Sequence, residues 1–144
     1  MIQGKDYVGI SVVYFCHDGK GNFLMQKRGQ KCRDEKGKWD IGAVGLDFGK
    51  GVEFTLIKEI QEEYSTEILN YEFLGYRDVH RKDNEIPTHW LALDFKVLVN
   101  REKVANGEPH KFDEIGWFTL NNLPSPLHSQ LANFIEKYSK LIEE

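Results

Sequence analysis

The hydrophobic pattern of this chain changes its period at residues 45–51, a stretch that holds three glycines. Before it, residues 7–16 and Phe23–Arg28 are rich in β-branched and aromatic side chains, and the turn residues between them predict a β-hairpin. After it, the apolar residues within Val52–Tyr64 recur at helical spacing along one stripe, which predicts an amphipathic helix. The chain therefore combines strands and helices.

The same two periods recur further along the chain. Residues 39–44 predict a short strand, residues 68–81 and Ile86–Val99 alternate well enough for two long strands, and residues 115–120 predict one more short strand. A closing helix is predicted from the helical spacing of Leu127, Leu131, Phe134, Ile135, Tyr138 and Leu141. This order favours an α/β (α+β) sandwich around a mixed sheet. With 144 residues, we expect one domain over residues 1–144.

Composition and charge exclude several classes of protein. Nineteen Lys and Arg against 23 Asp and Glu give a net charge of −4, so we expect no binding to duplex nucleic acid, although a small phosphate ligand is compatible. The uncharged run at residues 8–16 is far shorter than the roughly 20 residues of a membrane helix, and the first residues lack the order of a signal peptide, so we expect a cytoplasmic protein. Cys16 and Cys32 lack CxxC spacing and are expected to be free thiols.

Three carboxylates share one side of the first predicted helix. Glu59, Glu62 and Glu63 lie at positions i, i+3 and i+4, within an arc of roughly 100° beside the apolar stripe. Like charges at this spacing repel one another, and a hard divalent cation such as Mg²⁺ would neutralise them. The alternative is a solvated acidic face, which is common on surface helices.

These acids belong to a longer pattern over residues 44–66 that resembles the box of the Nudix (MutT-like) hydrolases. That box reads Gly, five residues, Glu, seven residues, Arg-Glu-hydrophobe-any-Glu-Glu-any-Gly-hydrophobe. Four positions match it outright, namely Glu59, Ile60, Glu62 and Glu63. The box is degenerate because five positions depart from it: Val44 for the first Gly, Lys50 for the isolated Glu, Lys58 for Arg, Ser65 for the later Gly and Thr66 for the last hydrophobe.

A later segment is similar to the same family. Glu108-Pro109, Trp117-Phe118 and Leu123-Pro124 look like the Glu-Pro, Trp-Phe and Leu-Pro pairs seen in many members. The resemblance therefore covers nearly the whole chain, and it implies the family's αβα sandwich around a mixed β-sheet.

The resemblance also implies an activity. Nudix enzymes generally use Mg²⁺ or Mn²⁺ to cleave a phosphoanhydride of a nucleoside diphosphate derivative, and the short segments here look most like members that act on nucleoside triphosphates. It assigns metal binding to Glu59, Glu62, Glu63 and the main-chain carbonyl of Val44, and catalysis to Glu62 and Glu108, with Glu114 as a second candidate base. The expected substrate-binding residues are Lys27, Arg28, Lys50, Lys58 and Phe112.

The departures from the box leave a second hypothesis open. Lys50 places a cation where the family has a carboxylate near the metal, and Lys58 offers a point charge where Arg offers a bidentate fork. The chain is then a nucleotide-binding or sensor domain that has lost turnover. A third reading, an isomerase of isoprenoid diphosphates, would need a cysteine in the pocket, for which Cys32 is a poor candidate. The expected partner is a small nucleotide, bound by a monomer or a homodimer.

Overall fold

A computed structural model describes residues 1–32 and 34–143 of the chain. Over these residues it contains seven strands, two α-helices and one short 3₁₀ helix at Arg101–Lys103. In chain order the main elements are β1 (Gly9–His17), β2 (Phe23–Arg28), β3 (Trp39–Asp40), β4 (Gly42–Gly45), α1 (Val52–Tyr64), β5 (Ile68–Asp83), β6 (Ile86–Val99), β7 (Phe112–Phe118) and α2 (Leu131–Ile142).

All seven strands belong to one mixed sheet. Its main order is β3-β2-β1-β6-β5, with β4 also pairing with β1 and β7 with β2. β1 and β6 run parallel, in register from Gly9 opposite Trp90 to His17 opposite Leu98, whereas the other pairs are antiparallel. The predicted mixed sheet is confirmed.

The two helices cover opposite faces of this sheet. Successive side chains of a strand point to opposite faces, so a strand buried on both sides is almost continuously apolar. On β1, Val12, Tyr14 and Cys16 belong to the core cluster that contains α1, while Val13 and Phe15 belong to the cluster that contains α2. The predicted αβα sandwich is therefore confirmed.

Several predicted boundaries differ from the structure, most clearly in three elements. The strand expected at residues 39–44 is two strands, because β3 pairs with β2 and β4 pairs with β1. The last strand begins at Phe112 rather than at residue 115, since Phe112 pairs with Arg28 across a bulge in β2. The closing helix begins at Leu131, and Leu127 instead forms an isolated bridge with Trp39.

Non-glycine residues adopt left-handed backbone conformations in three connections, at Glu35 between β2 and β3 and at two further places. The hairpin between β5 and β6 turns through Asn84 and Glu85, whose φ angles are 51° and 69°. Two positive φ angles are typical of a tight two-residue hairpin turn. α1 ends at Ser65, whose φ is 57° and whose N–H donates to the carbonyl of Gln61. A left-handed residue at this point is usually glycine, which explains physically why the box has Gly here.

The helices are short. α1 has 13 residues and α2 has 12, so neither reaches the length and apolar character needed to cross a bilayer. Cys16 and Cys32 are free, as predicted.

Candidate functional site

Three carboxylates gather beside α1. Each of Glu59, Glu62 and Glu108 offers an oxygen atom, and these atoms all lie within 4.8 Å of one another. Glu59 and Glu62 come from successive turns of α1, while Glu108 comes from the connection between β6 and β7. We call this set the acidic triad. The helix thus supplies two of its members by local spacing, and a residue 46 positions after Glu62 completes it.

The connection is tied to the end of α1 by its backbone. Ala105 N–H donates to the Tyr64 carbonyl and Gly107 N–H donates to the Glu63 carbonyl, each at 2.9 Å. These bonds satisfy carbonyls at the helix terminus that have no partner within the helix. A Cβ atom at Gly107 would lie 2.1 Å from the Glu62 carbonyl oxygen, so the close approach requires glycine. Glu108, the next residue, is held beside the helix as a result.

The electrostatics of the acidic triad favour a cation. Burial raises the pKa of Glu59, and the nearby charge of Glu62 raises it further. Among the residues that the structure describes, Glu62 forms an ion pair with Lys58, at 3.9 Å; both side chains are half exposed, so this pair is weak. Close carboxylates with little neutralising charge are suited to a hard divalent cation.

Glu63 lies beside the acidic triad and is not one of its members. Its side chain is 1% exposed, accepts a hydrogen bond from the Tyr14 hydroxyl, and has the Lys111 ammonium 3.4 Å from its other oxygen. Burial raises the pKa of Glu63 to about 7, although Lys111 acts in the opposite direction. The structure therefore brings together Glu59, Glu62 and Glu108, and holds Glu63 behind them against the sheet.

The residues that depart from the Nudix box occupy separate places. Val44 lies in β4 opposite Val12, and its side chain packs against the core on the α1 side of the sheet. Its φ is negative, as for every described non-glycine residue except Glu35, Ser65, Asn84 and Glu85, so valine is not strained there. Lys50 is exposed, with its ammonium 5.6 Å from the centre of the Phe54 ring. The structure does not bring Lys50 into contact with the acidic triad.

The remaining expected substrate residues are dispersed. Lys27 pairs with Trp39 on one side and with Glu114, which is exposed, on the other. Arg28 is engaged by Asp34, whose carbonyl and carboxylate accept at 3.1 and 2.9 Å. Phe112 is only 1% exposed. Its buried ring offers no face to a nucleobase, so the expectation that it stacks on substrate does not agree with its position.

A large cavity lies on the α2 side of the sheet, and the sequence did not predict it. Its volume is about 590 Å³, within the usual range for small-molecule sites. Its lining includes Arg28, Asp40, Arg77, Arg81, His128 and Phe134, and it reaches β4 at Val44 and Gly45. None of the acidic triad lines it. The one signal in the sequence was the pair of arginines Arg77 and Arg81, which share one face of β5; the other lining residues are too far apart in the chain to form a motif.

Two titratable groups in the cavity wall have displaced pKa values. Burial raises the pKa of Asp40 to about 7. Burial also lowers the pKa of His128 to about 4, although its Nε2 lies 2.7 Å from a Glu35 carboxylate oxygen that acts in the opposite direction. The wall therefore combines charged groups with apolar side chains, and the Arg77 guanidinium lies 5.3 Å from the centre of the Phe134 ring.

Comparisons with known proteins agree with this architecture. A family model described as the NUDIX domain matches residues 8–138. The MutT NUDIX hydrolase of Burkholderia pseudomallei has 24% sequence identity and a TM-score of 0.77, with 91% of this chain and 98% of that one covered. The MutT protein of Methanosarcina mazei Go1 has 20% identity and a TM-score of 0.74, with 99% and 100% covered. The NUDIX domain of Shewanella oneidensis NrtR, complexed with ADP ribose, has 14% identity and a TM-score of 0.73, with 95% and 90% covered.

The family match covers most of the chain and includes all seven strands, α1 and the acidic triad. The chain therefore belongs to the NUDIX domain family. Its class is that of the Nudix hydrolases, which act on acid anhydrides.

Proposed function

We propose that this protein is a Mg²⁺- or Mn²⁺-dependent pyrophosphohydrolase that cleaves a phosphoanhydride of a nucleotide derivative, with a nucleoside triphosphate as the expected substrate. The observation that carries the proposal is the acidic triad, Glu59, Glu62 and Glu108, with its oxygen atoms within 4.8 Å of one another. We also propose that residues 1–144 act as one domain, in the cytoplasm, as a monomer or homodimer.

The donor set fits the proposed ion. Carboxylate oxygens are the preferred protein ligands of Mg²⁺, which keeps several of its positions for water and substrate phosphates. When bound, the ion would screen the phosphate charge and acidify a water molecule. Glu59 and Glu62 would hold it from the rigid face of α1. Glu63, with its second oxygen near Lys111, and the Val44 carbonyl remain proposed additional ligands.

Glu108 is the proposed general base, with Glu62 as the alternative. A base must reach the attacking water and must differ in position from the groups that orient the phosphate. The Glu108 side chain is 20% exposed, and its N–H donates to the Asn106 side chain at 3.1 Å, which fixes the loop conformation. Its carboxylate therefore faces the same opening as Glu59 and Glu62 while coming from a different element.

The cavity supports a nucleotide as the substrate class. Its volume of about 590 Å³ accommodates a nucleoside, while Arg28 in its wall is paired with Asp34 and would have to exchange that partner to bind a phosphate. We also propose Lys27, Lys50 and Lys58 as phosphate contacts, because each side chain is at least partly exposed and can reach a ligand from the surface. The structural neighbour from Shewanella oneidensis is complexed with ADP ribose, which is a nucleotide derivative.

A panel of substrates tests the proposal. The purified protein is incubated with Mg²⁺ or Mn²⁺ and nucleoside triphosphates, nucleotide sugars, ADP ribose or dinucleoside polyphosphates, and released phosphate and pyrophosphate are measured. We expect turnover on at least one of them that is lost in a Glu59→Gln, Glu62→Gln double variant. The matched control is Glu136→Gln, an exposed position on α2 that should change nothing. Turnover that survives in the double variant would refute the assignment of the site.

A second candidate, a nucleotide-binding sensor without turnover, is favoured by the cations near the acids. Lys58 lies 3.9 Å from Glu62, and Lys111 lies 3.4 Å from Glu63. A positive charge at this range weakens the binding of a divalent cation. Nucleotide binding without turnover on every substrate of the panel would select this candidate. Lys50→Glu then separates the causes, because it raises turnover only if Lys50 is the defect and lowers it if Lys50 contacts substrate.

A further inference from the structure

A second cluster of metal-ligating side chains lies on the β5–β6 hairpin. Asp78 and His80 project from the same face of β5, and His89 lies directly opposite His80 in the β6 register. One ligand atom from each of the three residues lies within 4.8 Å of the other two. We call this set the histidine cluster. It shares no residue with the acidic triad.

The histidine cluster is already partly assembled. His89 Nε2 lies 2.9 Å from an Asp78 carboxylate oxygen, and the rings of His80 and His89 are 4.2 Å apart between centres. Two atoms bound to one zinc ion in tetrahedral geometry are about 3.3 Å apart, given bonds of about 2.0–2.2 Å. The Asp78–His89 pair is close to this spacing. His80 is exposed, so rotation of its side chain can bring a ring nitrogen to the same point.

The backbone of the cluster is held on both strands. β6 is an interior strand that pairs with β1 and β5, and His89 N–H donates to the Gly4 carbonyl at 2.8 Å. Asp78 and His80 are held by the ladder with β6. A metal ion would therefore order three side chains and no backbone, which limits the conformational entropy lost on binding.

Ligand chemistry decides which ion the cluster can bind. Imidazole nitrogen is a favoured ligand of zinc, copper and nickel ions, whereas Mg²⁺ selects oxygen. Two imidazoles and one carboxylate also form one of the three-ligand sets that zinc accepts, with the remaining position open to water. We propose that Asp78, His80 and His89 form a second metal site, which binds a late first-row transition-metal ion such as Zn²⁺ and discriminates against Mg²⁺.

Zinc titration of the protein without a polyhistidine tag tests this proposal. Zn²⁺ is added against a chromophoric chelator in the presence of excess Mg²⁺, and Co²⁺ absorption reports nitrogen ligation independently. We expect one Zn²⁺ per chain at this site. His80→Gln and His89→Gln should each weaken its binding at least about tenfold, since removing even a group that only orients a ligand has an effect of this size.

Two control variants locate the ion. The Glu59→Gln, Glu62→Gln double variant removes the acidic triad, and His110→Gln removes the histidine that lies 3.8 Å from Glu108. Both should keep the tight zinc site. Equal zinc affinity in the wild type and both cluster variants, or loss of the site in His110→Gln instead, would overturn the proposal. Thermal unfolding of each metal-free variant shows whether it folds, and His80 on the edge strand provides a second variant should His89→Gln fail to fold.

Discussion

The acidic triad and the histidine cluster are two groups of three metal-ligating residues, built in different ways. The acidic triad joins a helix to a loop, offers only carboxylate oxygens, and contains members that repel one another. The histidine cluster joins two paired strands, mixes nitrogen with oxygen, and has an internal hydrogen bond between Asp78 and His89. The acidic triad is therefore expected to depend on a cation for its stability, while the histidine cluster is stable without one.

This difference shows that the ion a site prefers depends on the type of its ligand atoms and on the element of secondary structure that holds them. Glu59 and Glu62 are set by the helical repeat, so their spacing is independent of the rest of the fold. His80 and His89 are nine residues apart and meet only because the hairpin register places them opposite each other. A hard ion is expected on the helix, and a borderline ion on the strands.

The largest expected effect is on kcat, which should depend on the acidic triad and not on the histidine cluster. Glu108→Gln removes the proposed base, so we expect kcat to fall by about 10²- to 10⁴-fold, the usual contribution of general acid–base catalysis. The His80→Gln, His89→Gln double variant should change kcat less than about twofold, because neither histidine belongs to the acidic triad. Steady-state kinetics with the substrate found in the panel measure both. A large loss of kcat in the histidine variant would mean that the two groups act together.

The next effect concerns the charge buried behind α1. The ordinary pKa of a glutamate is 4.5 and that of Glu63 in the fold is about 7, so the native state holds a proton that the unfolded state releases between these values. The free energy of unfolding should therefore fall as the pH rises from about 5 to 7, by at most about 3 kcal/mol. In Glu63→Gln, which mimics the protonated form, this contribution should be absent.

Urea unfolding of the metal-free wild type and of Glu63→Gln across this pH range gives the measurement. The difference between the two proteins is the relevant quantity, because His128 contributes an opposite slope. Its pKa is lowered to about 4 from 6.5, so it adds stability as the pH rises through that window. A difference that does not grow with pH would show that burying the Glu63 carboxylate costs little.

A third prediction concerns Mn²⁺, which we expect to bind at the acidic triad and not at the histidine cluster. Mn²⁺ binding, followed by electron paramagnetic resonance, should weaken at least about tenfold in the Glu59→Gln, Glu62→Gln variant and stay unchanged in the His80→Gln, His89→Gln variant. Lowering the pH from 8 to 5 should also weaken Mn²⁺ binding, because the raised pKa of Glu59 lets protons compete with the ion. Equal weakening of Mn²⁺ binding in both double variants would contradict the assignment of different ions to the two groups.

The smallest effect concerns the backbone that supports the histidine cluster. Glu85 has a φ of 69° in the hairpin turn, and a non-glycine residue is strained there. Glu85→Gly should raise the free energy of unfolding by about 0.5–1 kcal/mol, after the greater chain entropy of glycine is subtracted. Asn84→Gly is the matched control and should gain less, since asparagine tolerates this conformation. Destabilisation by Glu85→Gly in urea melts would contradict this account.

Several features of the fold follow from particular sequence patterns. The β-branched and aromatic composition of β1, the alternation along β6, and the helical stripe of Leu56, Ile60 and Tyr64 are local, and each prediction based on them agreed with the structure. The break at Ile41 between β3 and β4 could not be predicted, because it depends on which neighbouring strand each half meets. The bulge that draws Phe112 into β7 has the same cause.

The candidate site divides in the same way. The spacing of Glu59 and Glu62 was readable from the chain, and Glu108 entered through a resemblance to a family motif. The separation of Glu63 from the acidic triad was not readable, because the Tyr14 hydroxyl and the Lys111 ammonium that hold it come from β1 and from the connection before β7. The burial of Phe112 was equally invisible, since it depends on packing between elements that are distant in the chain.

By itself the sequence determined both helices, the long strands and the pair of carboxylates on α1, because hydrophobic periodicity and helical spacing are properties of consecutive residues. Only the tertiary structure decided which groups meet across long separations: Glu108 with α1, Arg28 with the cavity, and His80 with His89. The physical reason is that strand register and loop closure are set by packing over the whole sheet, where one residue of slip would turn each side chain to the opposite face.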